Sequence, residues 1–204
     1  MVLRERTLLD VDRMGEAERA QEQLLVERAL LGETAAFRGL VERHQRGVHG
    51  LVGRLVRNAS DQDELVQEAF ARAYCALEQF DPRYRFSTWL YRIALNLCRD
   101  HNKSAKRRER SVGLDVEAAM PAGAPTQNSH EMKPDRDTEL ARLRVAIDLL
   151  SDKDREVIVL KDLHELSYEE IRELTGSPIT ALKIRVVRAR RRLHGFMQGG
   201  SDGA

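Results

Sequence analysis

The chain has 204 residues, 33% of them charged, 42% hydrophobic and only 5% aromatic, with 13 Gly and 5 Pro. This balance fits a helical protein of one large or two small domains and argues against a β-rich sandwich or barrel. The formal net charge of +1 conceals strongly charged blocks, so any polyanion must be met by particular segments and not by the whole surface.

Two cysteines, Cys75 and Cys98, supply neither a disulfide framework nor a Cys-based zinc site. No apolar run approaches the roughly 20 residues that span a bilayer, and the charged start MVLRERTLLDVDRMGEAERAQ is unlike a secretory signal. The expectation is a soluble protein of the reducing cytoplasm. No cofactor and no metal site are expected. His44 and His49 are five apart, not the four that places two ligands on one helical face, so packing or surface roles are favoured for them.

In chain order, residues 1–23 read as a charged, net-negative extension of open role, for which a helix, a disordered tail and a regulatory contact are the alternatives. From Gln23 to Arg57 apolar residues recur at three- and four-residue steps, predicting one or two helices. Ser60-Asp61-Gln62-Asp63 resembles a capping box and opens a predicted helix from Asp61 to Leu77. Pro82 interrupts the pattern, so Phe80–Phe86 reads as a loop. After Ser87 and Thr88, either of which can cap, Trp89, Leu90, Ile93, Ala94 and Leu97 line a helix expected to end near Asn102. Periodicity is lost over residues 103–138, where Pro121, Pro125 and Pro134 stand among small and polar residues, which predicts a linker.

Helical period returns at Leu140, Leu143, Ala146, Ile147 and Leu150, with a fresh start at Ser151. Ser167-Tyr-Glu-Glu170 is a capping box, Gly176 supplies a turn, Ser177 a cap and Pro178 a first-turn residue, and the last helix runs to about Phe196. Residues 197–204 form a tail. Two helices joined by so short a turn have the spacing of a helix-turn-helix, whose second helix enters the DNA major groove.

That second helix splits into two faces. Leu182, Val186, Ala189 and Leu193 share one; Thr180, Lys183, Ile184, Val187, Arg188 and Arg191 share another. Between Lys183 and His194 stand six Lys or Arg and no acid, whereas a solvated helix mixes signs because like charges four apart repel. A basic helical hairpin or a tail binding RNA without sequence preference is the blander alternative.

The first half is polarised as well. Asp61 to Asp81 holds six acids and one base, Arg72, while Arg83 to Arg110 holds nine bases and two acids. A basic helix opening at Trp89, after a loop bearing Tyr84 and Phe86, suits single-stranded nucleic acid, since bases stack on aromatic rings and arginines take phosphates. Alternatively these aromatics fill a small core. The acidic face Asp63, Glu64, Gln67 and Glu68 cannot face DNA, leaving solvent or a protein partner.

The blocks DELVQEAFARAYCALEQF, FSTWLYRIALNLCRDHNK and LSYEEIRELTGSP…LKIRVVRARRRL resemble, in order, the two domains of a small sigma-70-type transcription initiation factor of the extracytoplasmic-function subgroup, over about Leu24 to Leu193. The resemblance implies an all-α chain of two small domains, a sigma-2-like bundle over 24–102 and a sigma-4-like helix-turn-helix domain over 139–196. It implies a non-catalytic subunit that binds core RNA polymerase, reads duplex and melted promoter DNA, and is in many relatives restrained by an anti-sigma factor. Docking on polymerase then falls to Asp63, Glu64, Gln67 and Glu68. The minus-ten element falls to Asp81, Arg83, Tyr84, Arg85, Phe86, Ser87, Trp89, Arg92, Asn96 and Arg99.

The minus-thirty-five element falls to Thr180, Lys183, Ile184, Val187 and Arg188 toward bases and to Tyr168, Arg190 and Arg191 toward backbone. The family's usual Gly-Thr pair is Thr180-Ala181 here and its common Ser is Ile184, which can offer only apolar contact, for instance to a thymine methyl. A stand-alone helix-turn-helix repressor or activator is the competing reading. It leaves the Trp89 segment and the acid/base polarity unexplained.

Overall fold

The computed structural model describes residues 17–112 and 136–198, and every regular element among them is helical. Contacts divide these residues into two compact units, one of 17–53 with 58–97 and one of 54–57, 98–112 and 136–198.

In the first unit α1 covers residues 17–30 and α2 covers Thr34–Leu55, so the long period of the N-terminal half resolves into two helices. They are separated at Gly32, whose φ of 87° is a left-handed conformation that costs glycine nothing. Helix α3, Ala59–Cys75, starts two residues earlier than its capping-box pattern predicts. Asn58, not Ser60, is the N-cap, its side chain accepting from the Ser60 amide, and Leu77 falls in a following 3-10 turn. Helix α4, Phe86–Val112, begins before both Ser87 and Thr88, which therefore sit inside its first turn. Fully buried Leu40, Val48, Leu51, Val52, Leu90 and Leu95 form the core, each worth roughly 1.5–3 kcal/mol of burial.

Helix α4 also ends ten residues beyond the expected boundary at Asn102. Lys103–Arg110 lost the apolar period yet contains no Gly or Pro and is rich in strong helix formers, so it extends a helix that packing has already nucleated. In the second unit this extension is tied down, since Asn102 donates to the Leu55 carbonyl at 2.9 Å and Lys106 pairs with Asp152. Of the predicted linker, residues 113–135 lie outside the described residues, as do 1–16 and 199–204.

The rest of the second unit is α5 (Arg136–Asp148), α6 (Asp152–Ile158), α7 (Tyr168–Thr175) and α8 (Ile179–Met197). Ser151 caps α6 as expected, accepting from the Asp154 amide. Four successive residues, Val157 to Leu160, are all buried, a pattern no regular amphipathic helix gives. The chain accommodates them by widening into a π turn over Val159–Leu163, closed by the His164 amide on the Val159 carbonyl. Ser167 and Glu170 form the predicted capping box, at 3.1 and 2.8 Å, and Gly176 ends α7 at a φ of 69°. Ser177 is not the cap of α8. That position is Pro178, whose carbonyl accepts from Leu182 while no side chain caps.

Candidate nucleic-acid interface

The loop before α4 is a turn built by its own acid. Asp81 accepts from the Arg83 amide at 3.0 Å and from the Arg83 guanidinium at 2.5 Å, and its carbonyl accepts from Tyr84. Tyr84 and Arg85 are exposed on it, and Arg92 and Asn96 are exposed on the following helix. Beneath lies an aromatic cluster in which Phe80, Phe86 and Trp89 sit 5.4–5.6 Å apart and His44 lies 5.3 Å from Phe86. Phe86 is 1% exposed, so its ring belongs to the core and offers no face to a base. Trp89 is half-buried, its indole shared between the cluster and the surface.

One residue of this site was invisible in the sequence. Glu22, on α1 within the extension of open role, places Oε1 2.8 Å from His44 Nε2 and accepts a hydrogen bond from the Phe86 amide. It thereby satisfies one of the orphan donors at the start of α4 from a different helix. Burial pushes the Glu22 carboxyl up, but His44, the Phe86 amide and Arg43 outweigh it and hold the group below its ordinary value. Arg99 does not join this group. It lies in the second unit, where its guanidinium grips Glu156 at 2.9 and 2.5 Å.

Helix α3 gathers Asp63, Glu64, Gln67 and Glu68 on one exposed face, opposite its buried Val66, Ala69, Phe70 and Ala73. Among the described residues Arg72, bonded to Glu68 at 2.7 Å, and His49, 3.8 Å from Asp63, temper its charge.

In the helix-turn-helix, Leu182, Val186 and Ala189 are buried and Thr180, Lys183, Ile184, Val187, Arg188 and Arg191 are exposed, as the helical split predicts. Ile184 and Val187 are 64% and 58% exposed, an apolar pair standing among cations. The Tyr168 ring carries Lys161 Nζ at 4.8 Å and Lys183 Nζ at 5.7 Å from its centre. Arg190 is held by Asp162 at 2.9 and 2.6 Å. Arg188 is bidentate to Asp154, at 3.2 and 2.6 Å. Asp154 is 1% exposed; burial pushes its carboxyl up, yet Arg188, Ser151 and Arg185 hold it below the usual carboxylate range. Among the described residues no cluster of three His, Cys, Asp or Glu could hold a metal, and no helix is long and apolar enough to cross a membrane.

Two families match these two regions, Sigma-70 region 2 over residues 40–108 and Sigma-70 region 4 over 140–193. The chain is 33% identical to the ECF RNA polymerase sigma-E factor of Haemophilus influenzae, over 89% of this chain and 98% of that one. It belongs to the extracytoplasmic-function sigma factors. The Escherichia coli sigma-E factor is 36% identical over 89% of this sigma factor and 97% of its own length. Among solved structures, CnrH in complex with the cytosolic domain of CnrY is similar, with a TM-score of 0.65 at 29% identity, covering 89% of this chain and 99% of that one. In this sigma factor region 2 thus takes in the acidic α3 face, the Asp81 turn and α4 as far as residue 108, and region 4 takes in the helix-turn-helix as far as residue 193. Glu22 precedes both matched ranges.

Proposed function

We propose that this sigma factor binds core RNA polymerase in the cytoplasm and directs it to promoters as a non-catalytic subunit. In this reading α8 lies in the major groove of the minus-thirty-five element. Thr180, Lys183, Ile184, Val187 and Arg188 reach base edges, and Tyr168, Arg190 and Arg191 hold the backbone. The single observation that carries it is the exposed face of α8, where apolar Ile184 and Val187 stand among cations with no acid from Lys183 to His194. Apolar side chains in a basic groove-sized face suit thymine methyls, which a merely phosphate-binding surface has no use for.

In the same reading the Asp81–Ser87 turn and the surface formed by Trp89, Arg92 and Asn96 take the melted minus-ten strand. The exposed Tyr84 and half-buried Trp89 rings are the stacking faces, with Arg83 and Arg85 meeting phosphates. Phe86 contributes from below by fixing Trp89, and the Arg83–Asp81 ion pair must open for DNA. The α3 face Asp63, Glu64, Gln67 and Glu68 docks on a basic surface of the polymerase. An anti-sigma factor completes the set of partners. CnrH, similar over nearly the whole chain, was solved bound to a cytosolic domain of another protein, and this supports such a partner.

Run-off transcription with core polymerase on a randomised promoter library tests the reading. The expected outcome is start-site selection with two enriched elements at constant spacing. Tight duplex binding by the chain alone, with no effect on polymerase, would instead establish a repressor or activator.

A further inference from the structure

The buried carboxylate of Asp154 is the centre of an unusual arrangement where α6 packs against α8 in region 4. Three arginines of α8 converge on it: Arg188 through two bonds of 2.6 and 3.2 Å, Arg185 at 3.5 Å and Arg192 at 3.4 Å. Their spacing of three and four residues puts all three on one stripe of α8, where without a counter-charge they would repel one another. Asp154 is the third residue of α6, its amide bonded to Ser151 and its carboxylate near the positive end of that helix, so the acid is fixed by backbone it does not share with α8.

The three arginines are not held alike. Arg185 and Arg192 each touch the carboxylate at the limit of hydrogen-bonding distance, whereas Arg188 alone meets it fork to fork. A bidentate pair fixes the plane of a guanidinium as well as its position, and a guanidinium reads guanine only when its plane matches that of the base pair. Arg188 nevertheless keeps 47% of its side chain exposed, so its outer N–H groups remain available while its inner edge is anchored.

We propose that Asp154 is a specificity-determining positioning residue of the minus-thirty-five reader. It holds the Arg188 guanidinium in the orientation that addresses a base edge and restrains it from the nearest phosphate. The inference rests on the reading of α8 given above, in which Arg188 faces bases. Its consequence is a trade: the buried acid lowers overall attraction for DNA, through one negative charge beneath three positive ones, and raises discrimination among sequences.

The test uses holoenzyme assembled from the full chain and core polymerase, with binding measured on promoter duplexes substituted one base pair at a time across the minus-thirty-five element, at several salt concentrations. Asp154→Asn is expected to lose about tenfold of the discrimination at the same base pairs where Arg188→Ala loses it. It should also bind non-matching DNA more tightly, with a salt slope steeper by about one as a freed arginine joins a phosphate. Asp154→Leu, which leaves no polar group stranded in the buried site, is measured alongside in case the Asn variant does not fold, and the same outcome is expected of it.

A merely structural role would weaken binding to every sequence alike with the slope unchanged, and that result overturns the proposal. Discrimination kept intact in the Asp154 variants while Arg188→Ala abolishes it overturns the proposal but leaves the reading of α8 standing. A flat profile for Arg188→Ala overturns both.

Discussion

The guanidinium of Arg155 donates to the Ile147 carbonyl at 3.0 Å from a side chain that is 3% exposed. The same group reaches the carbonyls of Asp148 and Leu150, at 2.5 and 3.3 Å, so one residue of α6 closes the open C-terminal end of α5. Replacing it removes this donor from the buried Leu150 carbonyl, at about 1–3 kcal/mol, while the Ile147 and Asp148 carbonyls keep the Leu150 amide and Arg57. Arg155→Met, which keeps the stem but not the donors, should therefore destabilise the second unit by about 1–3 kcal/mol. Urea unfolding followed by circular dichroism measures this, and a loss below about 0.5 kcal/mol, the range of ordinary surface changes, would contradict the capping role.

Glu165 has a φ of 54°, the left-handed region that side chains with a Cβ avoid. It follows the π turn and precedes the Ser167 cap, so the reversal between α6 and α7 imposes the conformation. Glu165→Gly relieves roughly 1 kcal/mol of strain and returns part of it as unfolded-chain entropy. The net expectation is a gain of about 0.5 kcal/mol, read as a higher urea midpoint at unchanged slope. A clear loss would mean that the Glu165 side chain makes a stabilising contact greater than the strain.

Stability of the first unit should depend on pH through Glu22. Its carboxyl is raised by burial and lowered more by His44, the Phe86 amide and Arg43, leaving the folded group below its ordinary 4.5. A depressed folded value means the contribution is complete above about pH 4.5 and is lost as pH falls through the folded pKa. Glu22→Gln should cost about 1–2 kcal/mol at neutral pH, the worth of hydrogen bonds to a charged group, and little in strong acid. Parallel pH profiles for wild type and variant would refute the assignment.

Exposed Asp63 and Glu64 carry the proposed polymerase contact, and neither is needed for the core of α3. The double reversal Asp63→Lys with Glu64→Lys should leave thermal stability within about 0.5 kcal/mol while weakening association with core polymerase at least tenfold. Fluorescence anisotropy of the labelled chain titrated with core measures it. Undiminished affinity would remove α3 from the interface.

Features confined to a few neighbouring residues were legible before any coordinates. The Ser167–Glu170 capping box, the Gly176 turn and the opposed faces of α8 each follow from hydrogen bonds and periodicity within about two helical turns, and backbone geometry reproduces such patterns wherever they occur. The same local rules misplaced boundaries where two residues competed for one role. Asn58 took the cap expected of Ser60 and Pro178 that expected of Ser177, and α4 ran on through residues whose helix propensity outlasted their apolar period.

Tertiary packing alone decided which side chains the candidate sites use. Phe86 turned inward because the cluster of His44, Phe80 and Trp89 closes over it. Glu22 reached the start of α4 from α1, and Asp154 met Arg188 across 34 residues of chain. Charge in a string of letters has a sign and an order but no partner, and an ion pair between helices depends on which faces the cores bring together. The amino-acid order therefore sufficed for the helices, their polarity and the family, while the register of packed helices determined which of the charges were bound and which were left facing outward.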